Sequence, residues 1–226
     1  MPSKPNILIV GQSGSGKSSS LEQLFRKHGD KIAFIDLERK GLPFLFDTTK
    51  LCFHSEPKDF TEAQVAMTAA KASKSTIFVY DSLQKYLEYV REYATEKHKG
   101  WDIWTFYNQA IGKFLAFNKS LERLVIITSS DEVVYIETAE GSRVSRLRAS
   151  VPWGKEWEGK IEKEFLIVTF VYAKKDLKNN NKIKHVFANH TDGMTSAKSP
   201  QWLNLPDETT NDVLLVVDKL FEQKQI

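Results

Sequence analysis

The chain has 226 residues, of which 41% are hydrophobic and 27% are charged, and its formal net charge is +3. This length and composition are ordinary for a globular protein and predict a single domain over residues 1–226. The single cysteine, Cys52, excludes an internal disulfide framework. Because no apolar run reaches the roughly 18–20 residues that span a bilayer, we expect a cytoplasmic protein without a membrane partner.

Six apolar runs predict β-strands, and several are continuously apolar, as in strands that are buried on both faces. They lie at residues 6–11, 31–36, 76–81, 123–130, 164–172 and 183–190. Four stretches with helical spacing of apolar residues lie between these strands, at residues 18–29, 59–73, 83–99 and 103–122. This order predicts an α/β fold with a mostly parallel central sheet, flanking helices and an antiparallel C-terminal strand extension.

A phosphate-binding loop follows the first predicted strand. The residues match the pattern G-x-x-x-x-G-K-[ST] in full, and the order strand, loop, helix is the context that this motif requires. The motif and the residue after it are Gly11, Gln12, Ser13, Gly14, Ser15, Gly16, Lys17, Ser18 and Ser19. The glycines let phosphate oxygens approach the backbone N–H groups, while Lys17 supplies a positive charge and Ser18 offers a hydroxyl to Mg²⁺. The sequence therefore predicts nucleotide binding.

Carboxylates end two further predicted strands. Asp81 ends the run 76–81 in the Walker B form and is predicted to hold Mg²⁺ opposite Ser18. Asp36 and Glu38 end the run 31–36 and share a face if the strand persists through both. A carboxylate at this edge of a parallel sheet can polarise the water that attacks the terminal phosphate.

With these motifs the sequence resembles the RecA-like branch of P-loop ATPases. The stretches AFIDLE and VYDS carry the resemblance. VIITSSDE, residues 152–171 and the tail over residues 190–222 extend it over most of the chain, most closely to small phage-encoded ATP-binding proteins of single-strand annealing and recombination. The resemblance implies an ATPase with ATP and Mg²⁺ as cofactors, Glu38 as general base and Lys17 as the second catalytic residue. A departure is that Ser129 and Ser130 stand where the branch often has a glutamine sensor.

The resemblance also implies partners. Two loops at residues 95–104 and 131–159 would line a single-stranded DNA path, through a set of basic residues interleaved with tryptophans: Arg143, Arg146, Arg148 and Lys155. The protein would form a homo-oligomer, a ring or a filament, in which a neighbouring subunit supplies a basic residue. The candidates for that residue are Lys198, Lys184 and Lys175.

Two other functions remain open from the sequence. A small-molecule kinase would use the same phosphate-binding loop together with an acceptor pocket, and a nucleotide-gated assembly protein would bind nucleotide with little turnover. A GTPase is disfavoured because the stretch Asn118-Lys119-Ser120-Leu121 fails the guanine-reading pattern Asn-Lys-x-Asp at its last position.

Overall fold

The computed structural model describes residues 4–137, 143–157, 159–176, 182–191 and 193–223. Within these residues the strands, in chain order, are β1 (Asn6–Val10), β2 (Ile32–Asp36), β3 (Phe53–Ser55), β4 (Ile77–Asp81), β5 (Leu124–Ser129), β6 (Asp131–Glu137), β7 (Arg143–Ala149), β8 (Ile167–Asp176), β9 (Lys182–Ala188) and β10 (Glu208–Thr210). The α-helices are α1 (Glu22–His28), α2 (Phe60–Ala72), α3 (Leu83–Lys97), α4 (Asp102–Lys119) and α5 (Val213–Glu222). No helix in these parts of the chain is both long enough and apolar enough to cross a membrane.

Eight of these strands form one sheet in the order β10-β9-β8-β1-β5-β4-β2-β3. The pairs from β8 to β3 are parallel, and the pairs β8–β9 and β9–β10 are antiparallel. The predicted fold class is therefore confirmed. Strand β5 lies between β1 and β4, so the strand before the phosphate-binding loop and the Walker B strand are not neighbours.

Helices cover both faces of this sheet because its central strands are apolar on both sides. Leu8 and Val10 of β1 point into a core layer shared with α2, α3 and α4. Ile7 and Ile9 point to the opposite face and pack in a layer with α1 and α5. All four side chains are fully buried. This alternation is the ordinary property of a strand, and it buries β1 on both faces of the sheet.

A β-hairpin, formed by β6 and β7, stands apart from the main sheet and begins directly after β5. The prediction that residues 131–159 form a loop is wrong for its first two thirds, because residues 131–137 pair with residues 143–149 over seven positions. The hairpin is closed at its base by the Ser150 amide, which donates to the Ser130 carbonyl at 2.8 Å. Ala149 is fully buried in the core, so the base of the hairpin is anchored to the domain.

Strands β8 and β9 form a ribbon that extends past the sheet edge. Phe170 is in register with Val10, the last residue of β1. Strand β8 continues six residues further, to Asp176, which pairs with Lys182 of β9. At about 3.4 Å per residue, the ribbon rises roughly 20 Å above the point where the phosphate-binding loop begins.

Candidate functional site

The loop after β1 has the backbone shape that its glycines allow. Gly16 has a φ of +97°, a conformation that other residues rarely adopt, and a Cβ there would lie 2.7 Å from Asn211 Nδ2. At Gly11 a Cβ would lie 2.6 Å from the carbonyl oxygen of Val171 on β8. The Gly11 amide in turn donates to the Ser129 carbonyl of β5 at 3.1 Å. The loop is thus fixed between β5 and β8.

The ammonium group of Lys17 lies against the start of this loop. Its Nζ donates to the carbonyls of Gly11 at 2.7 Å and of Gln12 at 2.8 Å. Burial lowers the pKa of Lys17, and the nearby carboxylates of Asp81 and Glu38 only partly oppose that shift. Lys17 is therefore a positive charge held in a poorly solvated position, where an anion would compensate it strongly.

Two hydroxyl groups hold the carboxylate of Asp81 at the end of β4. Ser18 Oγ donates to Asp81 Oδ2 at 2.5 Å, and Thr128 Oγ1 of β5 donates to Asp81 Oδ1. The Asp81 residue is 8% exposed. Burial raises the pKa of Asp81, although both hydroxyl donors act in the opposite direction. The structure thus brings together the two side chains that the sequence assigned to Mg²⁺, Ser18 and Asp81.

Glu38 faces the same cavity from the segment after β2. Its Oε1 accepts a hydrogen bond from Ser82 Oγ at 2.7 Å, and its Oε2 lies 2.6 Å from Lys40 Nζ. Burial of Glu38 favours the protonated form, but the hydrogen bonds from Lys40 and Ser82 outweigh this effect and lower its pKa. Glu38 is therefore an ionised, oriented carboxylate, the state that a general base requires.

Asp36 has a different role from Glu38. Strand β2 ends at Asp36, and its carboxylate accepts hydrogen bonds from the amides of Arg39 at 2.8 Å and Gly41 at 3.0 Å. The residue is 2% exposed, and burial raises the pKa of its carboxyl group. Asp36 therefore shapes the turn that carries Glu38, and it is absent from the described residues that line the cavity.

These groups surround one open cavity of about 650 Å³, a volume typical of small-molecule sites. Its walls come from the phosphate-binding loop, the ends of β2 and β4, the first turns of α3 and one residue of β9. The lining residues are Ser13, Gly14, Gly16, Lys17, Ser18, Ser19, Glu38, Lys40, Pro43, Asp81, Gln84, Lys85, Glu88, Ser130 and His185.

Three residues around the loop were missed by sequence reasoning. Gln84 and His185 line the cavity, and Asn211 donates from Nδ2 to the Gly16 carbonyl at 2.9 Å. Each lies far from the loop in sequence and belongs to no local motif, so no pattern within the chain could have identified them. The pairing of β8 with β9 positions His185, and the start of α3 at the end of β4 positions Gln84. Asn211 lies in the short connection between β10 and α5.

The predicted sensor residues, Ser129 and Ser130, lie where expected, at the carboxyl end of β5. Ser130 lines the cavity, and Ser129 is fully buried with its hydroxyl accepting from Gln84 Nε2 at 3.0 Å. The hydroxyl of Ser129 therefore contacts Gln84, and Gln84 lines the cavity.

The predicted basic residues whose side chains are described lie outside the cavity. Arg146 and Arg148 are half-buried on β7, and the side chains of Arg143 and Lys155 lie outside the described residues. Lys175 and Lys184 are exposed on the ribbon. Lys198 is half-buried beside Val168, which is in register with Leu8, and burial lowers the pKa of its ammonium group.

The sheet order, the loop after β1 and the carboxylates after β2 and β4 define a P-loop nucleotide-binding protein. The profile of the AAA domain family (AAA_24) matches residues 3–200, and the chain belongs to this family. It is therefore a P-loop ATPase-type protein, which confirms the broad class that the sequence predicted. A search of curated proteins found no significant match.

Proposed function

We propose that the protein is a Mg²⁺-dependent, RecA-like ATPase that binds single-stranded DNA and assists annealing or recombination of the phage type. The observation that carries the proposal is the convergence of Lys17, the Ser18–Asp81 pair and Glu38 on one cavity, with an arginine-bearing hairpin rising from its rim. The first part accounts for hydrolysis, and the second accounts for a polyanionic partner.

The residues that would hold Mg²⁺ suit this ion. Ser18 Oγ and Asp81 Oδ2 supply hard oxygen ligands side by side in the cavity, 2.5 Å apart. Mg²⁺ supplies charge neutralisation at the β- and γ-phosphate oxygens when it is bound. The backbone N–H groups of the loop orient the phosphates, and Lys17 adds a cation that is already desolvated.

Glu38 acts as the general base in this proposal. Its carboxylate is ionised, and Ser82 holds Oε1 in a fixed direction. A water molecule between Glu38 and the terminal phosphate transfers its proton to the carboxylate as its oxygen attacks phosphorus, and the bond to the leaving ADP oxygen breaks. The position of Glu38 after β2, with Ser82 directly after Asp81, supports the RecA-like assignment.

The hairpin is the proposed DNA-binding element. Arg146 and Arg148 alternate with Leu147, which packs toward the core, so both arginines lie on the outer face of β7. Trp153, close to the hairpin base, is 45% exposed, and the Arg91 guanidinium lies 3.7 Å from its ring centroid. Guanidinium groups bind phosphates and exposed indoles stack on bases, as single-strand binding requires.

Other aromatic residues separate into two groups. Trp101, between α3 and α4, is 80% exposed and is available for stacking, while Trp157 packs against the core.

In the proposed ring or filament, the ribbon supplies the basic residue that completes the site of the neighbouring subunit. Lys175 and Lys184 stand on its exposed end and are favoured for this role over Lys198, which lies beside the start of β8.

The test is ATP hydrolysis by the purified protein with and without single-stranded DNA, run beside calorimetric Mg·ATP binding and a panel of phosphate acceptors. We expect binding, Mg²⁺-dependent release of phosphate and faster release with DNA. Phosphate transfer to an acceptor would instead identify a kinase, and tight binding without turnover would identify a nucleotide-gated assembly protein. Turnover that DNA leaves unchanged, with no DNA binding at low salt, would refute the DNA part alone.

A further inference from the structure

The side chain of Gln84 connects the nucleotide cavity to both ends of the hairpin. Gln84 lies in the first turn of α3 and lines the cavity. Its Oε1 accepts from the Ser130 amide at 2.6 Å, just before β6 begins. Its Nε2 donates to the Ser150 carbonyl at 2.7 Å, just after β7 ends. One carboxamide thus bridges the two strand ends at the base of the hairpin.

The same carboxamide is also linked to the phosphate-binding loop. Its Nε2 donates to Ser129 Oγ at 3.0 Å, and the Ser129 carbonyl accepts from the Gly11 amide at 3.1 Å. Gln84 therefore uses its acceptor and its donors at once, a condition that fixes an amide side chain in one orientation. A displacement of the loop or of α3 must move this group or break one of its bonds.

The surroundings of Gln84 make such a displacement consequential. Gln84 is three residues from Asp81, the carboxylate assigned to Mg²⁺, and two residues from Ser82, which orients Glu38. The hairpin base has a second fixed point, because the Ala149 amide donates to Glu162 Oε1 at 2.9 Å. Gln84 and Glu162 both hold the hairpin base through the described hydrogen bonds, and of these two residues Gln84 lines the cavity.

We propose that Gln84 is a positioning residue that transmits the occupancy of the nucleotide cavity to the hairpin. This inference rests on the proposed function only in that the cavity binds nucleotide. Occupancy shifts α3 and the end of β5, the four hydrogen bonds of the Gln84 carboxamide rearrange together, and the hairpin changes its angle to the domain. Coupling between two sites typically changes affinity by 5–150-fold. A coupling free energy of the same size should change the equilibrium between the two hairpin positions by a similar factor.

The experiment is hydrogen exchange of the amides in residues 130–137 and 143–150, with and without Mg²⁺ and a non-hydrolysable ATP analogue. In the wild type the analogue should change exchange at the hairpin base by about 5-fold or more. Gln84→Ala should lose this response, and so should Gln84→Met, which keeps the volume of the side chain but has no amide. Calorimetric titration of the same analogue into each protein is run in parallel.

Gln64→Ala is the matched control. Gln64 lies on α2, donates from Nε2 to the Tyr86 hydroxyl of α3 at 3.0 Å and does not line the described cavity, and its described polar contacts do not include the hairpin, so the response should persist. A wild type that binds the analogue without a change in hairpin exchange would refute the coupling but leave the proposed function intact. A full response in Gln84→Met would also overturn it. A wild type that fails to bind the analogue would overturn both.

Discussion

Replacing Glu38 by glutamine should stop hydrolysis and preserve nucleotide binding. The substitution keeps an oxygen that can accept from Ser82 Oγ, now 2.7 Å from Oε1, but the amide has no basic site for the proton of the attacking water. Loss of a general base typically lowers the rate by about 10²–10⁴-fold. This range corresponds to roughly 3–5 kcal/mol of barrier, at about 1.4 kcal/mol for each tenfold change.

The structure also sets the side effects of this substitution. Glu38→Gln removes the ion pair with Lys40, whose side chain is 75% exposed. Exposed pairs of this kind contribute about 0–1 kcal/mol to stability, so the domain should stay folded. The loss of rate is therefore separable from unfolding, which thermal denaturation of both proteins would verify.

The assay is single-turnover hydrolysis of radiolabelled ATP at saturating Mg²⁺, with binding measured separately by calorimetry. Glu88→Gln is the matched control, since Glu88 lines the same cavity and also pairs with a lysine, Lys85. It should retain turnover within a few-fold of the wild type. Asp36→Asn should be milder than Glu38→Gln because Asp36 holds the turn and does not line the cavity. Turnover of Glu38→Gln close to that of the wild type would assign the base elsewhere.

The pH dependence supplies an independent check on Glu38. Its pKa is lowered, so the carboxylate remains ionised below the ordinary range for glutamate, and the acidic limb of kcat/KM should lie at correspondingly low pH. Lys40→Ala removes the largest of the groups that lower this pKa, so the limb should move to higher pH. A limb that stays in place in Lys40→Ala would show that another group sets it.

Three further predictions concern the loop and the hairpin. Lys17→Ala should abolish Mg·ATP binding in calorimetry with the fold retained by circular dichroism, because the cation beside the loop is lost. Gly16→Ala should lower the free energy of unfolding in urea by about 1–3 kcal/mol, because φ is +97° and the Cβ would lie 2.7 Å from Asn211 Nδ2. Replacing Arg146 and Arg148 together by alanine should flatten the slope of log DNA affinity against log salt by about 1.4, at about 0.7 for each phosphate contact; an unchanged slope would remove both from the DNA contact.

The sequence predicted those features whose evidence lies within one continuous segment of the chain. The phosphate-binding loop is a contiguous motif, and the apolar runs of β1, β2, β4 and β5 are long enough to predict strands buried on both faces. The strand that ends in Asp81 is a local pattern of the same kind. The general rules for parallel α/β folds place these strand ends at one edge, whereas the order of the strands in the sheet was not predicted.

The parts that the sequence did not predict depend on contacts between distant residues. Asn211 is separated from Gly16 by 195 positions, and Gln84 meets Ser150 across 66. Strands β3 and β10 have three residues each, too few for a period to appear. The loop predicted over residues 131–159 came from the resemblance to the RecA-like branch. The sequence gives no clear sign of a strand there, because β6 combines an acidic start with consecutive valines, which breaks the alternation expected of an exposed strand.

The central position of β1 has a consequence for how the protein is made. β1 precedes the other described strands in the chain, but it pairs only with β5 and β8 in the described sheet, and β8 begins at Ile167. At about 5–20 residues per second, a ribosome needs roughly 8–30 s to add the intervening residues. During that interval the apolar segment of β1 and the phosphate-binding loop lack the contacts that β8 makes with them in the complete sheet. His185 of β9, which also lines the cavity, is added later still, so the complete site exists only after β9 has been synthesised.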